Sequence, residues 1–214
     1  MKVKGIIFDL DGTLVSFPKD FFLEESLSAL AGTRYSHLTR QDLENYFSEF
    51  DYLKFMEGES AGQDEKDFWG KFRWDRMKPT KLIPGAASAL EKISQAGYKI
   101  TLATARVASE EEIRKELKEF GIDSYFEAIV SRQSHSLDWH DKEPQFRKCL
   151  EFMGLGAEDV CSISDIPSDT KSAKNIGISN TVSVLTGDIK RHILEEAEPK
   201  YIIADVTGLF SLLK

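Results

Sequence analysis

The chain has 214 residues, of which 41% are hydrophobic and 30% charged, a composition that excludes disordered and fibrous classes and leaves room for one substantial core plus a small satellite unit. Acidic residues outnumber basic ones 36 to 28, for a formal net charge of -8, and no Lys/Arg run marks a phosphate-backbone footprint, so nucleic acid is not an expected partner. Neither an apolar span of bilayer length nor a signal pattern opens the chain, so no membrane partner is expected and a cytoplasmic location is.

The first predicted element is a strand over Val3 to Phe8, which runs straight into FDLDGTL. Side chains alternate along a strand, so Asp9 and Asp11 are expected to lean the same way while Leu10 turns back into the core. Two like charges so placed are costly unless a cation or a charge-neutralising reaction offsets them.

Residues 16–78 then break the pattern. From Phe17 to Met77 no strand alternation occurs, while Leu43, Tyr46, Phe47 and Phe50 follow helical spacing behind a cap at Thr39. Breakers flank the segment, Ser16-Phe17-Pro18 on one side and Lys78-Pro79 through Pro84-Gly85 on the other, as suits two linkers to an inserted helical unit. Its aromatic excess, including Phe22, Phe47, Phe68, Phe72 and Trp74, is expected to serve mainly as that unit's own core. Lys19, Lys54, Arg73 and Arg76 could grip a substrate anion there, but read individually as helix-surface charges.

Beyond Ile83, helices and strands alternate: a helix over Ala86 to Ala96, a strand over Tyr98 to Ala103, a helix over Glu111 to Phe120, a strand over Ala128 to Ser131 and a helix over Pro144 to Met153. Next come a strand over Val160 to Ile163, a helix over Ser168 to Ile176, a strand over Thr181 to Leu185, a helix over Asp188 to Glu196 and a strand over Tyr201 to Ile203. Glycines at 97, 121, 154 and 177 close four of the helices. This rhythm predicts an α/β fold, a doubly wound parallel sheet built from residues 1–15 and 79–214, with residues 16–78 as an inserted all-helical cap.

Such sheets bind ligands beyond the carboxyl ends of their strands. The residues just past each strand are therefore informative: Asp9-Leu10-Asp11-Gly12-Thr13 after the first, Thr104-Ala105-Arg106 after the second, and Ser164-Asp165-Ile166-Pro167-Ser168-Asp169 after the fourth, with Lys142 just before the helix leading to it. These stations resemble, in order, the four motifs of the haloacid dehalogenase superfamily: FDLDGTL the first, Thr104 the second, Lys142 the third, and Asp165 with Asp169 the fourth. LIPGAASA, SDTKSAKNIGI and VSVLTGD also look like members with a helical cap after the first motif, including phosphoglycolate-phosphatase-like enzymes.

The resemblance implies a Rossmann-like core and a Mg²⁺-dependent phosphatase acting on a small phosphorylated metabolite, as a monomer or homodimer. It implies Asp9 as nucleophile, Asp11 as general acid and base, Thr104 and Lys142 on the phosphate, and Asp9, Asp11, Asp165 and Asp169 as the metal set, Asp169 acting in the outer shell or directly. Arg106 is a candidate for a second anionic group of the substrate or for an ion pair. Ser164 stands where a glycine is usual, Ala105-Arg106 where an asparagine is common, and Glu143 where a proline often succeeds the lysine. A phosphomutase, a 2-haloacid dehalogenase and a phosphate-binding module without turnover remain as alternatives, although Asp11 argues against the dehalogenase.

Two other features read as structural. Cys149 and Cys161 fall in a helix and a strand pattern and are expected to be buried free thiols. His135, Asp138, His140 and Asp141 in SRQSHSLDWHDK superficially resemble zinc ligands but lack a helical i, i+4 pair, and no zinc site is expected.

Overall fold

The structure is a computed structural model and describes residues 1–73, 81–106, 108–132 and 141–213. The chain divides into two compact units, one of Met1–Ser16 with Lys81–Lys214, the other of Phe17–Thr80.

The first unit carries a six-stranded, wholly parallel sheet in the order β3-β2-β1-β4-β5-β6. Its strands are β1 (Gly5–Phe8), β2 (Lys99–Ala103), β3 (Ala128–Val130), β4 (Val160–Ser164), β5 (Asn180–Val184) and β6 (Tyr201–Ile203). Strand β1 is central because it is buried on both faces: Ile6 and Phe8 pack to one side, Ile7 to the other. The first face is covered by α4 (Ala86–Gln95), through Ala86, Ala89, Leu90 and Ile93, and by α5 (Glu110–Glu119), through Ile113 and Leu117. The second is covered by α6 (Glu143–Met153), through Phe146, Cys149 and Met153, and by α7 (Pro167–Asn175), through Ala173.

Local chemistry sets the ends of these helices. Ser109 and Glu112 form a reciprocal capping box on α5, and Gly154 closes α6 in a left-handed conformation. The last helix departs from the sequence reading: α8 covers only Arg191–Glu196, because Asp188 takes φ +65 and Lys190 is extended, so the chain cannot begin to coil at Asp188. Both cysteines are buried and unpaired, and burial pushes each thiol up to about 12.

The second unit contains α1 (Lys19–Leu30), α2 (Arg40–Ser48) and α3 (Ala61–Lys71) among its described residues. Its interior is aromatic: Phe22, Phe47, Phe68 and Phe72 are buried, and Phe22 lies 5.6 Å from Phe47 and 5.4 Å from Phe72 between ring centroids. Thr39 forms a capping box with Asp42 at the start of α2. Lys19 pairs with Glu44 and Lys54 with Asp51, and the Arg73 amide donates to Glu25. Trp74 and Arg76 lie outside the described residues.

The chain leaves and re-enters the first unit through a short antiparallel stem. Val15 bridges Leu82, the Ser16 amide donates to Lys81 O at 2.7 Å, and the Ile83 amide donates to Leu14 O at 2.9 Å. Leu90 is fully buried between α4 and the sheet. Leu90→Ala is expected to cost about 3 kcal/mol in a urea melt through lost burial and a residual cavity, with an unchanged denaturant slope; a loss under about 1 kcal/mol would contradict this packing.

Candidate active site

The order of the strands creates the site. Successive crossovers carry β2 and β3 to one side of β1, and β4, β5 and β6 to the other, so a crevice opens where the carboxyl ends of β1, β2 and β4 meet. Asp9 emerges from β1 with its amide donating to Ile163 O of β4 at 2.9 Å, and its side chain is only 7% exposed. Leu10 turns into the core, as the alternation requires.

Lys142, at the start of α6, reaches this carboxylate from the opposite strand connection. Its Nζ donates to Asp9 Oδ1 and, at 2.6 Å, to Asp169 Oδ2 on α7, while its amide donates to Ser172 Oγ at 3.1 Å. The Lys142 side chain is 2% exposed, whereas Lys148 and Lys171 lie on the surface. Asp169 Oδ2 also accepts from Ser164 Oγ at 2.7 Å, so the serine found where a glycine is usual helps hold Asp169. No sequence signal separates this hydroxyl from an ordinary strand-end serine.

Asp165 completes the cluster. Its carboxyl lies within hydrogen-bonding reach of Asp9 and accepts from Thr13 Oγ1 at 3.3 Å. Two glycines make room for it: a Cβ on Gly12, at φ +76, would sit 2.1 Å from Asp165 Oδ2, and one on Gly187 would sit 1.7 Å away. Thr186, next to that second glycine, donates to Gly12 O and joins the loop after β5 to the loop after β1. The VSVLTGD segment suggests family likeness in the sequence without assigning either residue a task.

Three carboxylates thus crowd around one ammonium. Burial pushes the Asp9 carboxyl up to about 6, with Lys142 opposing the rise and Asp169 adding to it. Burial, then Asp9 and Asp169, hold Asp165 well above the ordinary carboxylate range. For Lys142 burial opposes the charge, but Asp169 and Asp9 outweigh it and keep the ammonium protonated more firmly than an ordinary lysine.

Thr104 and Arg106 stand beside this cluster at the end of β2. Thr104 is buried, and its hydroxyl oxygen accepts the Arg106 amide at 3.2 Å. The Arg106 side chain turns to protein carboxylates: Nε donates to Asp11 Oδ2 at 2.7 Å, Nη2 to Asp11 Oδ1 at 2.6 Å, and Nη1 to Glu116 on α5. Asp9 and Asp11 therefore share the rim but not their partners. Glu116 carries no signal in the sequence, being ten positions from Arg106 in a charge-rich helix.

Among the described residues, no group of three or more His, Cys, Asp or Glu side chains is gathered into a metal cage. The donors present still suit a hard divalent cation. Mg²⁺ characteristically takes one or two carboxylates together with waters and substrate oxygens rather than an all-protein cage. Asp9 and Asp165 supply two neighbouring, buried carboxyl groups whose negative charge is poorly compensated, and the buried Asp169 Oδ1 lacks a hydrogen-bond partner. His135, Asp138 and His140 lie outside the described residues, while Asp141 accepts the Glu143 amide at 2.8 Å just ahead of α6.

Comparison with known proteins places the chain among related sequences and folds. The family model described as haloacid dehalogenase-like hydrolase matches residues 6–183. A phosphoglycolate phosphatase from Aquifex aeolicus is 26% identical over 228 residues, covering 99% of this chain and 97% of that protein. The pyrophosphatase PpaX from Halalkalibacterium halodurans is 20% identical, covering 100% and 98%. A haloacid dehalogenase-like hydrolase from Streptococcus pneumoniae shares the fold with a TM-score of 0.74 at 17% identity, over 99% of this chain and 98% of that one.

The crowding has a cost that can be measured. A carboxyl raised to about 6 in the folded protein from 3.8 binds its proton more tightly folded than unfolded, so it weakens folding as pH rises between those values and keeps that cost above them. In EDTA, Asp9→Asn is expected to melt higher than the wild type at about pH 7.5, with the difference closing towards pH ~4. A variant that melts lower at neutral pH, or a gain that persists in acid, would refute the account.

Proposed function

The chain belongs to the haloacid dehalogenase-like hydrolases, and from that membership we propose that it is a Mg²⁺-dependent phosphatase of small phosphorylated metabolites, working through an aspartyl phosphate. The observation that carries this reading is the buried Asp9 carboxylate, held by Lys142 at the carboxyl end of β1 with Asp165 beside it. The names of the relatives, phosphoglycolate phosphatase and pyrophosphatase, support a small phosphorylated substrate.

A carboxylate oxygen of Asp9 attacks phosphorus, a bond forms between them, and the bond from phosphorus to the leaving oxygen breaks. Asp11 gives its proton to that oxygen. Water then attacks the phosphorus, Asp11 takes the water's proton, and the bond to Asp9 breaks to release phosphate. Charge on the transferring group's oxygens must be neutralised throughout. Lys142 supplies a fixed ammonium for this, kept charged by Asp9 and Asp169, and Thr104 offers a hydroxyl at the same rim. Asp9 and Asp165 would hold Mg²⁺, with Asp169 and Asp11 nearby in supporting places, and the bound ion would supply further neutralisation of phosphoryl charge.

Release of p-nitrophenol from p-nitrophenyl phosphate is expected to require Mg²⁺ and to vanish in Asp9→Asn; turnover that survives either change refutes the nucleophile assignment. Asp11→Asn is expected to lose about 10²- to 10⁴-fold on esters with alkyl leaving groups and far less on p-nitrophenyl phosphate, whose leaving group needs no proton. Equal losses on both would remove Asp11 from the acid role.

A further inference from the structure

Arg106 is placed to do more than neutralise a neighbour. Its guanidinium engages Asp11 as a fork, with bonds of 2.7 and 2.6 Å to the two carboxylate oxygens, and its remaining arm donates to Glu116. The Arg106 and Asp11 side chains are 12% and 20% exposed, buried enough to make an unpaired charge costly yet open to the crevice. In the proposed mechanism Asp11 must reach the leaving oxygen, and it cannot do so while both of its oxygens remain in the fork.

Moving Asp11 leaves a mostly buried guanidinium facing Glu116 with its two-toothed edge vacant. A guanidinium edge fits carboxylate and phosphate oxygens in the same bidentate geometry, and a neutral alkyl group offers it nothing. The guanidinium keeps the compensation it has in this structure only if another anion joins Glu116 in the vacated place. We propose that Arg106 is a specificity-determining residue: a carboxylate or second phosphate on the leaving group replaces Asp11 in the fork, and so releases Asp11, which leaves the fork as a carboxylate, to take a proton from water and deliver it to the ester oxygen. Glu116 keeps the guanidinium aimed during the exchange. The substrate class is thereby narrowed to phosphate esters and anhydrides whose leaving group carries an anion close to the scissile bond. This rests on the phosphatase reading, and it differs from a static ion pair in coupling the freedom of Asp11 to the chemistry of the leaving group.

The test compares kcat/KM for 2-phosphoglycolate and ethyl phosphate, which differ by one carboxylate, with pyrophosphate as a third arm in which the anion is a second phosphate. The wild type is expected to prefer at least one anionic substrate over ethyl phosphate by about 100-fold or more, and that substrate identifies which anion the fork takes. Arg106→Gln should reduce the preference to under about tenfold, mainly through loss on the anionic substrate, and Arg106→Lys, which keeps the charge without the fork, should fall between. A wild-type preference near unity for both anionic substrates overturns the proposal even if neither variant folds, as does a preference unchanged in Arg106→Gln. Failure of the underlying reading shows elsewhere, as Mg²⁺-independent hydrolysis of p-nitrophenyl phosphate or activity in Asp9→Asn, neither of which involves a leaving-group anion.

Discussion

The structure depends on one ammonium placed between carboxylates out of reach of water. Lys142 binds Asp9 and Asp169 while Asp165 presses in from the side, so a single ammonium serves three carboxyl groups. Desolvating such a group is expensive, and removing its one ammonium, which would leave buried carboxylates uncompensated, typically costs about 3–5 kcal/mol, whereas Lys142 keeps Asp169 when Asp9 is neutralised. A fold meant only to be stable would fill this space with apolar side chains. The cluster instead stands at the crevice with more carboxyl groups than cations, which is the imbalance that the proposed binding of a metal ion and a phosphoryl group would relieve.

The rest of the first unit can be understood as support for that arrangement. A sheet buried on both faces fixes β1, and the divergence of chain direction on either side of it leaves room at the carboxyl edge. Gly12 and Gly187 hold open the space that the Asp165 carboxylate fills, and Thr186 ties the two loops together. Ser164 and Ser172 place Asp169 and the start of α6. Most of these contacts span elements far apart in sequence and so tie the loops at the carboxyl edge to one another.

Most of the fold was legible because its signals are local. Apolar runs and glycine stops placed the six strands and the helices between them to within a few residues, and the polar residues after β1, β2 and β4 fall where the sheet brings them together. Lys142 was legible through its position in a family pattern rather than through any property of its own sequence neighbourhood. The features that stayed hidden depend on backbone conformation or on distant partners. The late start of α8 comes from the left-handed Asp188, and nothing in a tract of charged residues revealed that Arg106 would be shared by Asp11 and Glu116. The expectation that Arg106 meets either a substrate anion or an ion pair named both possibilities, and the structure records the ion pair.

The stem at Val15 and Leu82 carries a different kind of consequence. Because departure and return points of the chain are already joined by hydrogen bonds between residues 14–16 and 81–83, whatever lies between them closes a loop whose ends are fixed for other reasons. The entropic expense of such a loop grows only slowly with its length. The junction therefore acts as a socket: segments of different size and sequence can be grafted there over evolutionary time while β1, just ahead of it in the chain, keeps its register.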